Sequence, residues 1–134
     1  MKFFFLYILP AFVLSTLASA QYISPTAGET ISSTDPFNLT WVSGKYFKET
    51  SLNITVLFAR SPFSSSLNGV VLVEGLVSND PGIKTYSAEL APRYFYNDNE
   101  TGAFDIIIIE TYQAYGGANI ATELYIQTVN LAGP

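Results

Sequence analysis

Carboxylates are the side chains best suited to catalysis in this sequence, because the chain contains no histidine and no cysteine. Ser-His-Asp and Cys-His catalysis are therefore excluded, as is zinc or copper bound through histidine or cysteine. Asp105 and Glu110 share one predicted strand, but their five-residue spacing places them on opposite faces. A glycosidase needs two carboxylates across a cleft. We therefore expect a non-enzymatic protein, and a small carboxylate-dependent hydrolase is the least favoured alternative.

One polar segment is similar to the beginning of a calcium-binding loop. Asn97, Asn99 and Thr101 alternate before Gly102. The leading position is not aspartate, however, and the twelfth position is Ile108, where a calcium loop has glutamate. The segment therefore predicts a polar turn, and we expect neither a metal nor a cofactor.

Two loops rich in aromatic residues contain the candidate ligand-binding side chains. Tyr46 and Phe47 lie between two lysines, and Tyr112 and Tyr115 lie in a segment that ends at a glycine pair. Aromatic faces beside amide and carboxylate groups are used to recognise carbohydrates and peptides. We therefore predict that these four residues bind a ligand. In the alternative interpretation, the rings only cover the end of the hydrophobic core.

Three Asn-x-Thr motifs are candidate N-glycosylation sites, beginning at Asn38, Asn53 and Asn99. The alternation of the surrounding residues turns Asn38 and Asn53 away from the apolar faces of their predicted strands. Asn99 lies in the polar segment described above. We expect glycans at these positions. The alternatives are chance occurrence of the motifs or a bacterial host, in which they carry no meaning.

The first twenty residues have the organisation of a secretory signal peptide. A single charge at Lys2 precedes an apolar run over Phe3–Leu14, and Ala18 and Ala20 are the small residues that signal peptidase reads. The apolar run is too short for a comfortable membrane span, and no stop-transfer pattern follows it. We therefore predict a signal peptide over residues 1–20, a mature domain over residues 21–134, and an extracellular protein without a membrane span.

The composition predicts one acidic domain. Six Lys+Arg against eleven Asp+Glu give a net charge of −5, which becomes −6 without Lys2. An acidic chain without a basic cluster is not expected to bind nucleic acid or anionic membranes. Without cysteine there are no disulfides, so stability must come from apolar burial, which ten Phe and nine Tyr residues can supply.

Alternating apolar residues predict strand after strand. Phe37, Leu39 and Trp41 share one face, and Leu52 shares the inner face of the next strand with the apolar residues that follow it at every second position. The run Ile106–Ile109 is apolar on both faces, as in a central strand. The seven predicted strands cover Tyr22–Pro25, Pro36–Ser43, Ser51–Arg60, Asn68–Val77, Ile83–Leu90, Ala103–Gln113 and Ile120–Val129.

This pattern predicts an all-β fold, an antiparallel immunoglobulin- or fibronectin-III-like sandwich of about seven strands. In that fold the second, fourth and sixth connections lie at one end, which brings the two aromatic loops together. Another antiparallel sandwich or barrel with a different strand order is the alternative.

The opening of the predicted domain resembles a known family. Ile23–Ile31 carries a turn proline and glycine between apolar residues, and Phe37-Asn38-Leu39-Thr40-Trp41 follows. This resembles the Ig-like N-terminal domain of fungal Ser/Thr-rich, GPI-anchored cell-wall proteins associated with β-1,6-glucan assembly. Small secreted proteins of mushroom-forming fungi are also similar, and share an element like Glu110-Thr111-Tyr112. Because no Ser/Thr-rich stalk or hydrophobic tail follows Asn130, we expect a free domain without a GPI signal.

Taken with the residues, the resemblance implies a secreted, N-glycosylated binding module associated with fungal cell-wall polysaccharide, with glucan or chitin as the ligand. The alternative, from another class, is a protein-interaction or effector-like module that binds a protein partner. A flat, apolar, exposed face would favour that alternative over an aromatic-lined end.

Overall fold

The regular structure consists of strands. The computed structural model describes residues 20–45, 48–64, 69–92, 101–115, 117 and 119–133. Apart from Ala20, the predicted signal peptide lies outside these residues. Eight strands are present: β1 (Gln21–Ser24), β2 (Thr30–Ser32), β3 (Phe37–Val42), β4 (Thr50–Arg60), β5 (Val70–Leu76), β6 (Thr85–Leu90), β7 (Gly102–Gln113) and β8 (Ile120–Ala132).

The strands form two sheets, in the orders β1-β3-β6 and β2-β8-β7-β4-β5. This confirms the predicted all-β sandwich. The strand after β4 pairs with β4 itself, as the additional strands of variable-type immunoglobulin domains do. Every pairing is antiparallel except that of β2 with β8.

The parallel pair involves β2, a short strand that was not predicted. The predicted strand Tyr22–Pro25 corresponds to β1, and β2 follows it in the other sheet. The turn between them contains Gly28, whose φ of 76° is a conformation that favours glycine. The turn carries the chain from the edge of one sheet to the edge of the other, and β2 then runs parallel to β8.

A β-bulge corrects the predicted alternation of β4. The register with β7 shifts between Ser51 and Asn53. Ser51 is therefore buried, whereas Leu52 is 37% exposed although its spacing predicted an inward side chain. Beyond the bulge, Ile54 and Val56 face the core as predicted.

Aromatic side chains fill the space between the sheets. The ring of Trp41 lies 5.9 Å from that of Tyr86 and 5.0 Å from that of Tyr125. The Tyr22 hydroxyl crosses from the smaller sheet to the larger one, where it donates to the carbonyls of Tyr125 (2.7 Å) and Ile106 (3.1 Å). Aromatic burial and this hydrogen bond join the two sheets. Among the residues described, no helix is long and apolar enough to cross a bilayer.

Candidate functional site

The three loops expected to meet at one end of the sandwich lie next to one another. The Nζ atom of Lys45, after β3, lies 4.3 Å from the ring centroid of Tyr112, at the end of β7. The Nζ atom of Lys48 lies 4.9 Å from the ring of Tyr115. The β5–β6 loop is the third loop at this end, because its residues 81–84 line a pocket together with Lys45. We call this region the loop end.

The four predicted ligand-binding residues do not form one described cluster. Tyr46 and Phe47 lie outside the described residues. Tyr112 occupies an inward-facing position of β7 and is partly buried beneath a lysine, whereas Tyr115 is 67% exposed. Of the two described rings, only that of Tyr115 is widely accessible. Ligand binding by these residues stays a prediction.

An ion pair holds the lysine that covers Tyr112. The Nζ atom of Lys45 lies 2.8 Å from a carboxylate oxygen of Glu123, which also accepts a hydrogen bond of 2.7 Å from the hydroxyl of Tyr125. These two hydrogen bonds lower the pKa of Glu123 from its ordinary value. Burial works to lower the pKa of Lys45, but the hydrogen bond and charge of Glu123 outweigh it and raise that pKa.

A pocket of about 320 Å³ opens at the loop end. This volume is at the small end of the range for ligand sites. The pocket is charged: the ammonium group of Lys84, on one wall, donates to the carbonyl of Asp80 at 2.5 Å. The lining residues are Lys45, Glu49, Thr50, Ser51, Pro81, Gly82, Ile83 and Lys84.

Glu110 lies beneath the loop end and is fully buried between the sheets. Its Oε2 atom accepts hydrogen bonds from the hydroxyls of Ser43, at the end of β3, and Ser51 (2.6 Å), at the start of β4. The Ser43 oxygen in turn accepts from the backbone N–H of Lys45 at 2.9 Å. Ser51 also hydrogen-bonds the hydroxyl of Tyr86 (2.6 Å), on the opposite sheet. This carboxyl group therefore fixes both ends of the β3–β4 loop.

The two carboxylates of β7 do not converge on a common cleft. Asp105 faces away from the core, opposite to Glu110, and accepts hydrogen bonds from the N–H of Phe63 (2.8 Å) and the hydroxyl of Thr128 (2.7 Å). Both groups are thus engaged in holding loops and strands. In the part of the chain that the structure describes, no group of three or more acidic side chains could hold a metal ion.

The outer face of the five-stranded sheet is apolar at its centre. Leu57, Ile107 and Ile126 lie side by side across β4, β7 and β8, and Ile109 and Leu124 form the next row. Ile107 is fully buried, whereas Leu124 and Ile126 are 52% and 47% exposed. Exposure of the apolar side chains therefore rises from the centre of the sheet towards both edges, since Val71 of β5, opposite Leu57, is 51% exposed.

The first part of β8 has an inverted pattern. Its outward side chains include Ile120, which is 61% exposed, together with Leu124 and Ile126. Its inward side chains include Glu123, Tyr125 and Gln127.

An antiparallel strand covered on one face normally places apolar residues inward and polar residues outward. This surface was not predicted from the sequence, where its only signal is the apolar residues at positions 120, 124 and 126. We call the outward residues Ile120, Thr122, Leu124 and Ile126, with the backbone edge beside them, the β8 surface.

The glycosylation motifs lie on different faces of the sandwich. Asn38 is exposed on the outer face of the smaller sheet. Asn53 is on the outer face of the larger sheet, directly opposite Thr111 of β7. Asn99 lies outside the described residues. The structure therefore places one candidate glycan near the apolar face and another on the far side.

Comparison with known proteins gives a distant structural likeness and no match in sequence. No family model matches the chain, and no curated protein matches it. A similar solved structure is that of murine CRIg, an Ig-like domain. The likeness covers 86% of this chain and 98% of the CRIg chain, with 8% sequence identity and a TM-score of 0.44. A likeness this distant says nothing about function, and the resemblance to fungal cell-wall proteins stays an expectation.

Proposed function

We propose that this chain is a secreted, N-glycosylated, non-enzymatic protein-interaction module that binds a second copy of itself through the β8 surface. One observation carries the proposal: the side chains of Ile120, Leu124 and Ile126 form an exposed apolar row along β8. An exposed apolar surface indicates a protein contact rather than a sugar site, because sugars require polar groups around the rings on which they stack.

The charge distribution favours a second copy as the partner. Glu123 is the only charged residue of β8, and it faces inward in its ion pair with Lys45. The β8 surface is therefore neutral although the whole chain is acidic. Two copies brought together at this surface place no like charges in contact, and their apolar rows are complementary about a two-fold axis.

The size of the surface predicts a weak complex. Seven residues of strand are about 23 Å long, so the strip buries only a few hundred Å² on each partner. Stable complexes bury about 800 Å² on each side. We therefore expect a reversible dimer with a dissociation constant in the micromolar range or weaker.

Sedimentation velocity tests the proposal on the full chain, expressed in a secreting eukaryotic host and purified from the medium. Wild-type protein should shift from monomer to dimer between about 1 µM and 1 mM. Leu124→Lys should remain monomeric because it places a charge in the contact. Ser87→Lys, an exposed position of β6 on the other sheet, is the matched control and should behave as wild type. Monomeric wild-type protein throughout, or dimerisation of Leu124→Lys equal to wild type, would overturn the proposal.

Binding of cell-wall glucan or chitin at the loop end is the second candidate function. The accessible ring of Tyr115 and the neighbouring pocket support it. Co-sedimentation with insoluble β-glucan and chitin tests it. Tyr115→Ala should lose binding, whereas Tyr112→Ala should lose less because a lysine already covers that ring. If wild-type protein stays wholly in the supernatant, this candidate is rejected.

A further inference from the structure

The outer edge of β8 is open along most of its length. β2 pairs with β8 only from Asn130 to Ala132. From Ile120 to Gln127, β8 borders β7 on one side. On the other side, no strand pairs with it in the described ranges of the chain.

Two hydrogen bonds show which backbone groups face that edge. The carbonyl of Thr128 accepts from the N–H of Gly28 (2.8 Å), and the N–H of Asn130 donates to the carbonyl of Glu29 (2.9 Å). Backbone groups in a strand alternate sides with a period of two. The same side of β8 therefore carries the N–H and C=O groups of Ile120, Thr122, Leu124 and Ile126. Exposed backbone groups in this arrangement are a template for another strand.

Glu123 is the one charged residue of this segment, and its inward-facing carboxylate is already paired with Lys45. Residues 120–127 contain no proline or lysine. Pairing with β7 continues without a register shift from Gly102 to Gln113. At the opposite edge of the sheet, β5 has two register irregularities, an exposed Glu74 and a glycine, Gly75, at φ 69°. Such features prevent edge-to-edge pairing. The protein thus protects one edge and leaves the other open.

We infer that two copies join by antiparallel pairing of their β8 edges, about a two-fold axis at Leu124, so that their five-stranded sheets become continuous. The inference rests on the proposed function and names its geometry. Leu124 faces Leu124 of the partner subunit, and Thr122 faces Ile126 of the partner subunit. Thr122, Leu124 and Ile126 of each copy then make six backbone hydrogen bonds between the copies.

Other registers are less favourable. An axis at Glu123 places two carboxylates opposite one another, which is destabilising. An axis at Ile126 requires the backbone groups of Thr128 and Asn130, which Gly28 and Glu29 already occupy. An axis at Thr122 takes the pairing beyond the start of β8. The axis at Leu124 opposes no like charges, uses no backbone group that is already occupied and stays within β8.

Single cysteine variants test this geometry, because the chain has no cysteine of its own. Facing residues in a hydrogen-bonded antiparallel pair have Cα atoms about 5.5 Å apart, within reach of a disulfide. Leu124→Cys should therefore form a covalent dimer under mild oxidation. Ile126→Cys lies about 13 Å from its own copy and should remain monomeric. A mixture of Thr122→Cys and Ile126→Cys should give the mixed dimer, although each alone does not.

The outcomes separate this inference from the proposed function. If wild-type protein dimerises but neither Leu124→Cys nor the mixture cross-links, edge pairing is wrong and the copies meet in another way. If Ile126→Cys cross-links with itself as readily as Leu124→Cys, the register is wrong. If wild-type protein stays monomeric and no variant cross-links, both proposals fail.

Discussion

The side chains of the loop end already make ion pairs and hydrogen bonds within the protein, whereas those of the β8 surface are exposed. At the loop end, Lys45 pairs with Glu123 and covers Tyr112, and Glu110 holds the serines on either side of the loop. At the β8 surface, apolar side chains are exposed beside an open backbone edge. The residues with the most reactive chemistry are thus used to hold the fold. The residues available to a partner are plain aliphatic ones.

The largest effect is expected from Glu110→Ala, which tests whether the loop end is held from below. The change leaves two buried serine hydroxyls without their acceptor and creates a cavity. It should lower the free energy of unfolding by about 3 kcal/mol or more. Urea denaturation measures this, with Glu123→Ala as a control that should cost about 1 kcal/mol or less. Equal, small losses in both variants would show that Glu110 does not hold the loop.

Tyr22→Phe should have a smaller effect on stability. Burial raises the pKa of the Tyr22 hydroxyl far above its ordinary value, so the group remains a donor at alkaline pH. Removing it leaves the carbonyls of Ile106 and Tyr125 without this donor and should cost about 1 kcal/mol. Thermal unfolding compares the variant with wild type. An unchanged midpoint would show that the link between the sheets is not energetically important.

The Lys45–Glu123 pair should make a still smaller, pH-dependent contribution. Because the pKa of Glu123 is lower in the folded protein than the unfolded value near 4.3, the stabilisation is present above that value. It is lost as the pH falls through the lowered pKa. Glu123→Gln should therefore lower the unfolding midpoint at pH 7 and have little effect near pH 3. Glu123 is partly exposed, so the loss at pH 7 should be under about 1 kcal/mol. The same difference at both pH values would contradict this account.

The smallest effect is expected from removing the glycan motif at Asn53, and it distinguishes edge pairing from stacking of sheet faces. Asn53 lies two strands away from the β8 edge, on the outer face. A glycan there would obstruct stacking of faces but leave the edge open. Asn53→Gln should therefore change the dimer dissociation constant less than about threefold, as should the control Asn38→Gln. Mass spectrometry establishes whether each site carries a glycan. Much tighter dimerisation of Asn53→Gln alone would favour stacked faces.

The fold could be predicted from sequence because alternation dominates it. Phe37, Leu39 and Trp41, and the isoleucine run of β7, point to strands with a buried face, and the structure confirms them. The bulge at Leu52 could not be predicted, because an inserted residue leaves no mark in a strand rich in apolar residues. The assignment of β1 and β2 to different sheets could not be predicted either, because it depends on which sheet edges the assembled strands leave available.

The surfaces were harder to predict than the fold. Along β8 both faces carry apolar residues, and which face turns outward is decided by the pairing of Ile107 with Ile126 and of Ile109 with Leu124. The cover over Tyr112 depends on a lysine that is distant in sequence. Contacts of this kind arise only when the strands assemble. Residue types could therefore identify aromatic side chains as candidate ligand-binding residues, but not which of them are covered in the fold.

Hydrogen exchange of individual amides, followed by NMR at low and high protein concentration, tests the pairing of β8 edges most directly. At low concentration the amides of Thr122, Leu124 and Ile126 should exchange rapidly, because no strand in the described part of the monomer pairs with them on that side. At high concentration these three amides should become protected, while those of the β5 edge should not change. Dimerisation without protection of these amides, or equal protection along β5, would contradict the account.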